Sequence, residues 1–210
     1  MSAVFRLLPW IIAAIAIVGF GASFSELQRM RARFGEVTQH TFHDHQDVRQ
    51  FMIRAALAQA SHPIIIMGDS IAEMAPLPTE IAGKEVINAG IGGITSRELS
   101  RISPRLLEGV TASLIVLATG ANDVGSSISV EDYSELLQQL KRHAPRLLVL
   151  PSTSNEEVTK KIREACTNTG IECRELLISA NGKSPDGIHL NKRGYRIWMD
   201  ALTSYMMRMM

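Results

Sequence analysis

The chain has 210 residues, of which 46% are apolar and 20% charged, with a formal net charge of +1. That length holds one compact domain with a sizeable core and a modest appendage. The near-neutral balance lacks the basic surface that a nucleic-acid partner requires, and no internal repeat or low-complexity tract points to a solenoid or a disordered chain.

From Leu7 to Phe24 no residue is charged, a run of about 18 residues where a spanning helix needs about 20. An N-terminal hydrophobic helix is therefore expected over residues 1–24, either as an uncleaved membrane anchor or as a signal segment. Gly19, Gly21, Ala22 and Ser23 offer small residues for a cleavage site. Either form carries the rest of the chain out of the cytoplasm, to the periplasmic side of an inner membrane if the source is bacterial. Arg29, Arg31 and Arg33 come next and pull against export under the positive-inside tendency.

Residues 25–60 read as a polar-rich helical stalk or packing helix. Val48, Phe51, Met52, Ala55 and Ala58 recur at three- and four-residue spacing and mark one stripe expected to be buried. His40, His43 and His45 lie on the same stretch and read as polar surface, not as a metal site.

From residue 61 to 210 strands alternate with helices. Ile64 to Met67, Val86 to Asn88, Leu114 to Ala118, Leu147 to Leu150 and Ile171 to Leu176 are the strand segments. The first four are nearly continuous apolar runs, as parallel strands covered on both faces should be. Thr95 with Glu98, Ser129 with Asp132 and Ser154 with Glu157 fit the capping-box spacing. Gly170 closes the third of these helices, and a last helix begins near Asn191. The pattern predicts a three-layer α/β/α sandwich around a five-stranded parallel sheet, with ligands at the carboxyl ends of the strands. Cys166 and Cys173 flank a predicted helix-to-strand loop, where either a disulfide or two unpaired thiols fits.

Those strand ends carry the chemistry. The first runs into "GDS", the second into "NAGIGG", the third into "ATGAND", and the loop before the last helix reads "SPDGIHLNKRGY". A serine hydroxyl is a poor nucleophile until a base takes its proton, and His189 is the natural base for Ser70. Asp186, three residues earlier, can fix the tautomer of that imidazole and stabilise its charged form. Backbone N–H groups of Ser70 and Gly90, with the carboxamide of Asn122, are the candidate oxyanion donors. The dinucleotide and α/β-hydrolase signatures do not fit, because Thr95 and Ala72 stand where each would need glycine.

The four segments resemble the blocks of the SGNH (GDSL-like) hydrolase family: Ser70 in GDS, Gly90 in the second block, Asn122 in GAND, and Asp186 with His189 in DGIH. The resemblance covers roughly Ile64 to Leu202. It implies a flavodoxin-like α/β/α fold and ester or thioester hydrolysis with no metal and no cofactor. "IAEM" after the nucleophile departs from the family's Leu-Thr or Ile-Thr. The function expected is a serine esterase removing short acyl groups such as acetyl from a glycan or small-molecule ester. O-acyl transfer to a glycan, lysophospholipase or thioesterase activity, and a non-catalytic glycan-binding module are the alternatives.

Overall fold

A computed structural model describes residues 3–126 and 128–210. The chain divides into two compact units, residues 1–44 and 45–210. Helix α1 (Ala3–Leu57) belongs to the first unit up to Asp44 and to the second from His45 onward.

In the first unit, the expected spanning segment is not met. Among the described residues no helix is long and apolar enough to cross a membrane. The side chains of residues 7–9, 11 and 12 lie outside the described residues. The side chains of His40 and His43 also lie outside the described residues.

The second unit is built on a six-stranded sheet: β1 (Ile64–Gly68), β2 (Glu80–Ile81), β3 (Lys84–Gly90), β4 (Leu114–Ala118), β5 (Leu147–Val149) and β6 (Glu172–Cys173). The order is β2-β3-β1-β4-β5-β6, and all neighbours are parallel except the β2–β3 pair. The five expected parallel strands are present; the sixth, β2, makes the sheet mixed. It is a two-residue hairpin arm turned by Ala82 and Gly83, both at positive φ (51° and 73°). A two-residue loop with positive φ at both positions matches the twist of paired strands, and an alanine in one of them hides the turn from sequence reading.

The remaining helices are α2 (Ser70–Glu73), α3 (Ser96–Leu106), α4 (Val130–Lys141), α5 (Glu156–Thr169) and α6 (Lys192–Met209). Successive side chains of β1 enter opposite faces of the sheet. Ile65 and Met67 join the core under α3, α4, α5 and the end of α1, while Ile64 and Ile66 join Trp198, Leu202 and Met206 of α6. Each fully buried aliphatic side chain contributes roughly 1.5–3 kcal/mol, so two cores sharing one sheet fix the three layers. The capping boxes at Thr95 and Ser129 form as expected, whereas the cap of α5 is Asn155, one residue past Ser154. Gly170 closes α5 in the left-handed conformation.

The buried stripe of α1 differs from the expected one. Gln50, Ile53 and Leu57 point inward, while Val48, Phe51 and Met52 are exposed. Polar anchors decide the face: Gln50 Oε1 accepts from Arg105 (2.9 Å), and Arg49 reaches the backbone oxygens of Asn88 and Gly90. Cys166 and Cys173 are free thiols in contact, so the disulfide alternative is not realised. The hydrogen bond between them pushes the Cys166 thiol up and the Cys173 thiol down.

Candidate active site

Strands β1 and β4 are adjacent, and their crossovers run to opposite sides of the sheet. This is the switch point where a parallel sheet opens a crevice at its carboxyl edge. Gly68, Gly90 and Ala118 lie in register at that edge. A Cβ on Gly68 would sit 1.9 Å from the Ala118 oxygen, so only glycine lets β1 end against β4 there.

Asp69 comes next and caps α2 by accepting from the Ile71 N–H (2.9 Å). Its other oxygen accepts from the Ala121 N–H (3.2 Å) and the Ser152 hydroxyl (2.5 Å). One buried carboxylate thus ties the nucleophile turn to the loops after β4 and β5. Burial pushes its pKa up to about 6 against the lowering effect of these donors, the Ser152 hydrogen bond foremost. On the far side of α2, the Tyr195 hydroxyl donates to the Ile71 oxygen (3.0 Å) and ties α6 to the same turn.

Ser70 opens α2, and its Oγ lies 3.0 Å from His189 Nε2. His189 Nδ1 lies 2.6 Å from Asp186 Oδ2. The Asp186 Oδ1 accepts from the N–H groups of Ile188 and His189 (2.9 and 3.0 Å), which locks the loop that carries both side chains. The His189 hydrogen bond, followed by that from Ile188, holds Asp186 at about 2, so it is ionised at any working pH. A serine and a histidine–aspartate pair more than a hundred positions apart therefore form one hydrogen-bonded chain.

Asn122 sits in a one-turn 3-10 helix (Ala121–Asp123) after β4. Its Nδ2 donates to the Ile94 oxygen (2.9 Å), which uses one of two amide hydrogens. Asp123 is buried beside it and fixes that turn to α3 by accepting from Ser96 N–H and Oγ (2.9 and 2.5 Å).

Gly90 has a different position from the one expected of an oxyanion donor. Its N–H is engaged by Asn88 Oδ1 (3.0 Å), and an added Cβ would meet Glu73 N at 2.2 Å. Glycine is needed there because β3 ends directly beneath α2. The Gly93 N–H, by contrast, has no acceptor among the described residues. Gly93 is exposed at φ 74° in the turn that Ile94 N closes on Ile91 O, beside the oxygen that Asn122 holds. The paired glycines of "GIGGIT" were the available signal, but only the backbone shows which of them faces outward.

Glu73, in the "IAEM" segment that departs from the family pattern, closes the other end of α2. It accepts from the Gly92 N–H and pairs with Arg49 Nε (3.2 Å) and His45 Nε2 (3.0 Å). Asn88 Nδ2 donates to the Ala72 and Glu73 oxygens (3.0 and 3.1 Å) and so caps the helix.

The model of the GDSL-like lipase/acylhydrolase family matches residues 66–197, more than half of the chain. The chain belongs to that family. It is an ester hydrolase by that membership. No curated protein matches it. Among solved structures it is similar to a Streptococcus pneumonia protein whose description names platelet activating factor (TM-score 0.68, 23% identity, 83% of this chain and 98% of that one). It is also similar to a lipase/acylhydrolase from Enterococcus faecalis (TM-score 0.54, 18% identity, covering 68% and 94%). A catalytic variant of an acetylxylan esterase from Geobacillus stearothermophilus gives a TM-score of 0.54 at 12% identity, covering 68% and 93%. At these identities the likeness establishes the fold.

Proposed function

We propose that this GDSL-like hydrolase is a serine esterase that removes short acyl groups from a glycan or small-molecule ester. The reading is carried by the continuous hydrogen-bonded chain Ser70–His189–Asp186 at the carboxyl edge of the sheet. His189 Nε2 takes the Ser70 proton as Oγ attacks the ester carbonyl, and Asp186 stabilises the imidazolium. The oxyanion that forms is met by the Ser70 N–H and the free amide hydrogen of Asn122, with the Gly93 N–H in the role expected of Gly90. Collapse of the intermediate expels the alcohol, which takes the proton from His189. Water then attacks the acyl-serine, again deprotonated by His189, and the acid leaves as Ser70 regains its hydrogen.

The acetyl and glycan part of the reading comes from the acetylxylan esterase whose fold this chain shares. Ser70→Ala should lower hydrolysis of an activated acetyl ester by at least about a thousandfold and abolish labelling by a fluorophosphonate probe, with the fold unchanged. A variant that retains activity within about tenfold of the parent removes Ser70 from the mechanism.

The second part of the proposal is location outside the cytoplasm, supported by the uncharged run after Arg6. An alkaline phosphatase fused at the C-terminus should be active there. A fusion active only with a cytoplasmic reporter reverses this part and leaves the chemistry standing.

A further inference from the structure

We infer that the cleft beside His189 is a subsite for a carboxylate carried by the ester substrate, with Lys183 as its counter-ion. The inference rests on the esterase reading above. The cleft, of about 430 Å³, is bounded by Ala121 next to Asn122, by Ser152 to Asn155 ahead of α5, and by Lys183 and Ile188 of the loop that carries His189. Its walls include the chain neighbours of Asn122 and His189, Ala121 and Ile188.

Lys183 is the one residue in its wall that carries a full charge. Its Nζ donates to Ser154 Oγ (3.1 Å), and among the described residues no carboxylate lies within ion-pair distance of it. The partly buried Arg49 and Lys161 both have carboxylate partners, Glu73 and Glu157. The half-buried Lys183 is held by a single neutral hydroxyl with no counter-charge in the wall, and two of its three N–H donors remain available. The nearby acids are committed elsewhere. Asp186 holds His189, and Asp69 accepts from Ile71, Ala121 and Ser152. Glu156 and Glu157 at the start of α5 are solvent-exposed and pair with Arg163 and Lys161. The N-terminal end of α5, which forms part of the wall, adds the positive end of a helix dipole.

A second observation is independent of the lysine. The cleft shares Lys183, Ile188 and Ser152 to Ser154 with a narrow groove lined by Ile71, Leu176 and Trp198. The Trp198 indole Nε1 is the one buried side-chain nitrogen or oxygen among the described residues that has no hydrogen-bond partner. Lys183 is thus the accessible donor of these contiguous walls, with the unpartnered indole N–H buried behind them. The apolar remainder of the groove suits a short methylene or aromatic spacer between that carboxylate and the ester. A wholly neutral ester would offer Lys183 an acceptor oxygen but no counter-charge.

Two matched ester pairs test this and tell the acyl side from the alcohol side. The acyl pair is 4-nitrophenyl hemisuccinate against its succinamate, and the alcohol pair is 4-acetoxybenzoate against 4-acetoxybenzamide. The enzyme should favour the charged member at least tenfold in kcat/KM in one pair, and that pair names the side. The preference should collapse towards unity in Lys183→Met, persist in Lys183→Arg, and shrink for the unaltered enzyme as salt is raised. Equal use of charged and neutral members in both pairs overturns the subsite, as does a preference that survives Lys183→Met or is indifferent to salt. Hydrolysis of the neutral members, abolished by Ser70→Ala, reads the esterase separately. If it is present without a charge preference, only the subsite falls; if no member is hydrolysed, both readings fall.

Discussion

At the scale of single residues the most consequential group is one that touches no substrate. Asp69 is fully buried, accepts three hydrogen bonds and still has its pKa raised to about 6, because removal from water outweighs the donors around it. The folded state therefore favours the protonated acid. The stability this provides is complete below the ordinary value of 3.8 and is lost as pH rises through about 6. Over that window the loss amounts to about 3 kcal/mol. Asp69→Asn cannot titrate, and its single amide oxygen cannot serve Ile71 on one side and Ala121 on the other, so it forfeits one hydrogen bond at every pH. Urea unfolding of both proteins between pH 4 and 7 should show the parent's advantage shrinking by about 3 kcal/mol as pH rises. A difference that stays constant across that range would mean that Asp69 is ionised in the folded protein throughout. Asp186 behaves oppositely: held at about 2 by His189 and the Ile188 N–H, it contributes no titration to the working range.

At the scale of elements, α2 has the nucleophile at one end and Glu73 at the other, a single turn apart. Glu73 holds the Gly92 N–H and is held by Arg49 and His45, so the end of α1 is linked through it to the turn that exposes Gly93. Glu73→Gln keeps the volume but removes the charge that Arg49 faces. It should lower kcat about tenfold with KM nearly unchanged, since displaced oxyanion donors weaken the transition state and not the ground state. The stability cost should stay near 1 kcal/mol. A destabilised variant with full kcat would assign Glu73 to folding alone. None of this linkage was legible in the sequence, because a glutamate after "GDSIA" carries no local signature, and its partners lie 19 to 28 residues away. What was legible was local: apolar runs that became β1, β3, β4 and β5, caps at Thr95 and Ser129, and a serine, histidine and aspartate at strand ends and a loop. The edge hairpin at β2 and the choice between Gly90 and Gly93 depend on backbone angles and on which N–H is already engaged. Residue types do not encode either.

At the scale of the whole molecule, the question is where the hydrolase unit begins. Composition places the boundary at residue 60, where helix-like polarity gives way to strands. Packing places it at His45, because the last turns of α1 supply parts of the α/β body. Ile53 and Leu57 are buried in the larger core, Gln50 receives Arg105, and Arg49 donates to the backbone oxygens at the end of β3. Apolar periodicity alone misassigned that segment, since Phe51 and Met52 form the more hydrophobic face yet remain exposed. Two truncations separate the boundaries. A protein starting at residue 45 keeps every contact named here and should hydrolyse an acetyl ester with the kcat/KM of the full chain and an unchanged melting temperature. A protein starting at residue 61 loses two buried aliphatic side chains, about 3–6 kcal/mol of burial, and leaves the Asn88 and Gly90 oxygens without their guanidinium. That is a large share of the roughly 5–15 kcal/mol by which a domain is stable. It should melt at least about 10 °C lower and lose most of its activity. Equal stability and activity of the two truncated proteins would show that the end of α1 is dispensable, and that the residue-60 boundary is the true one.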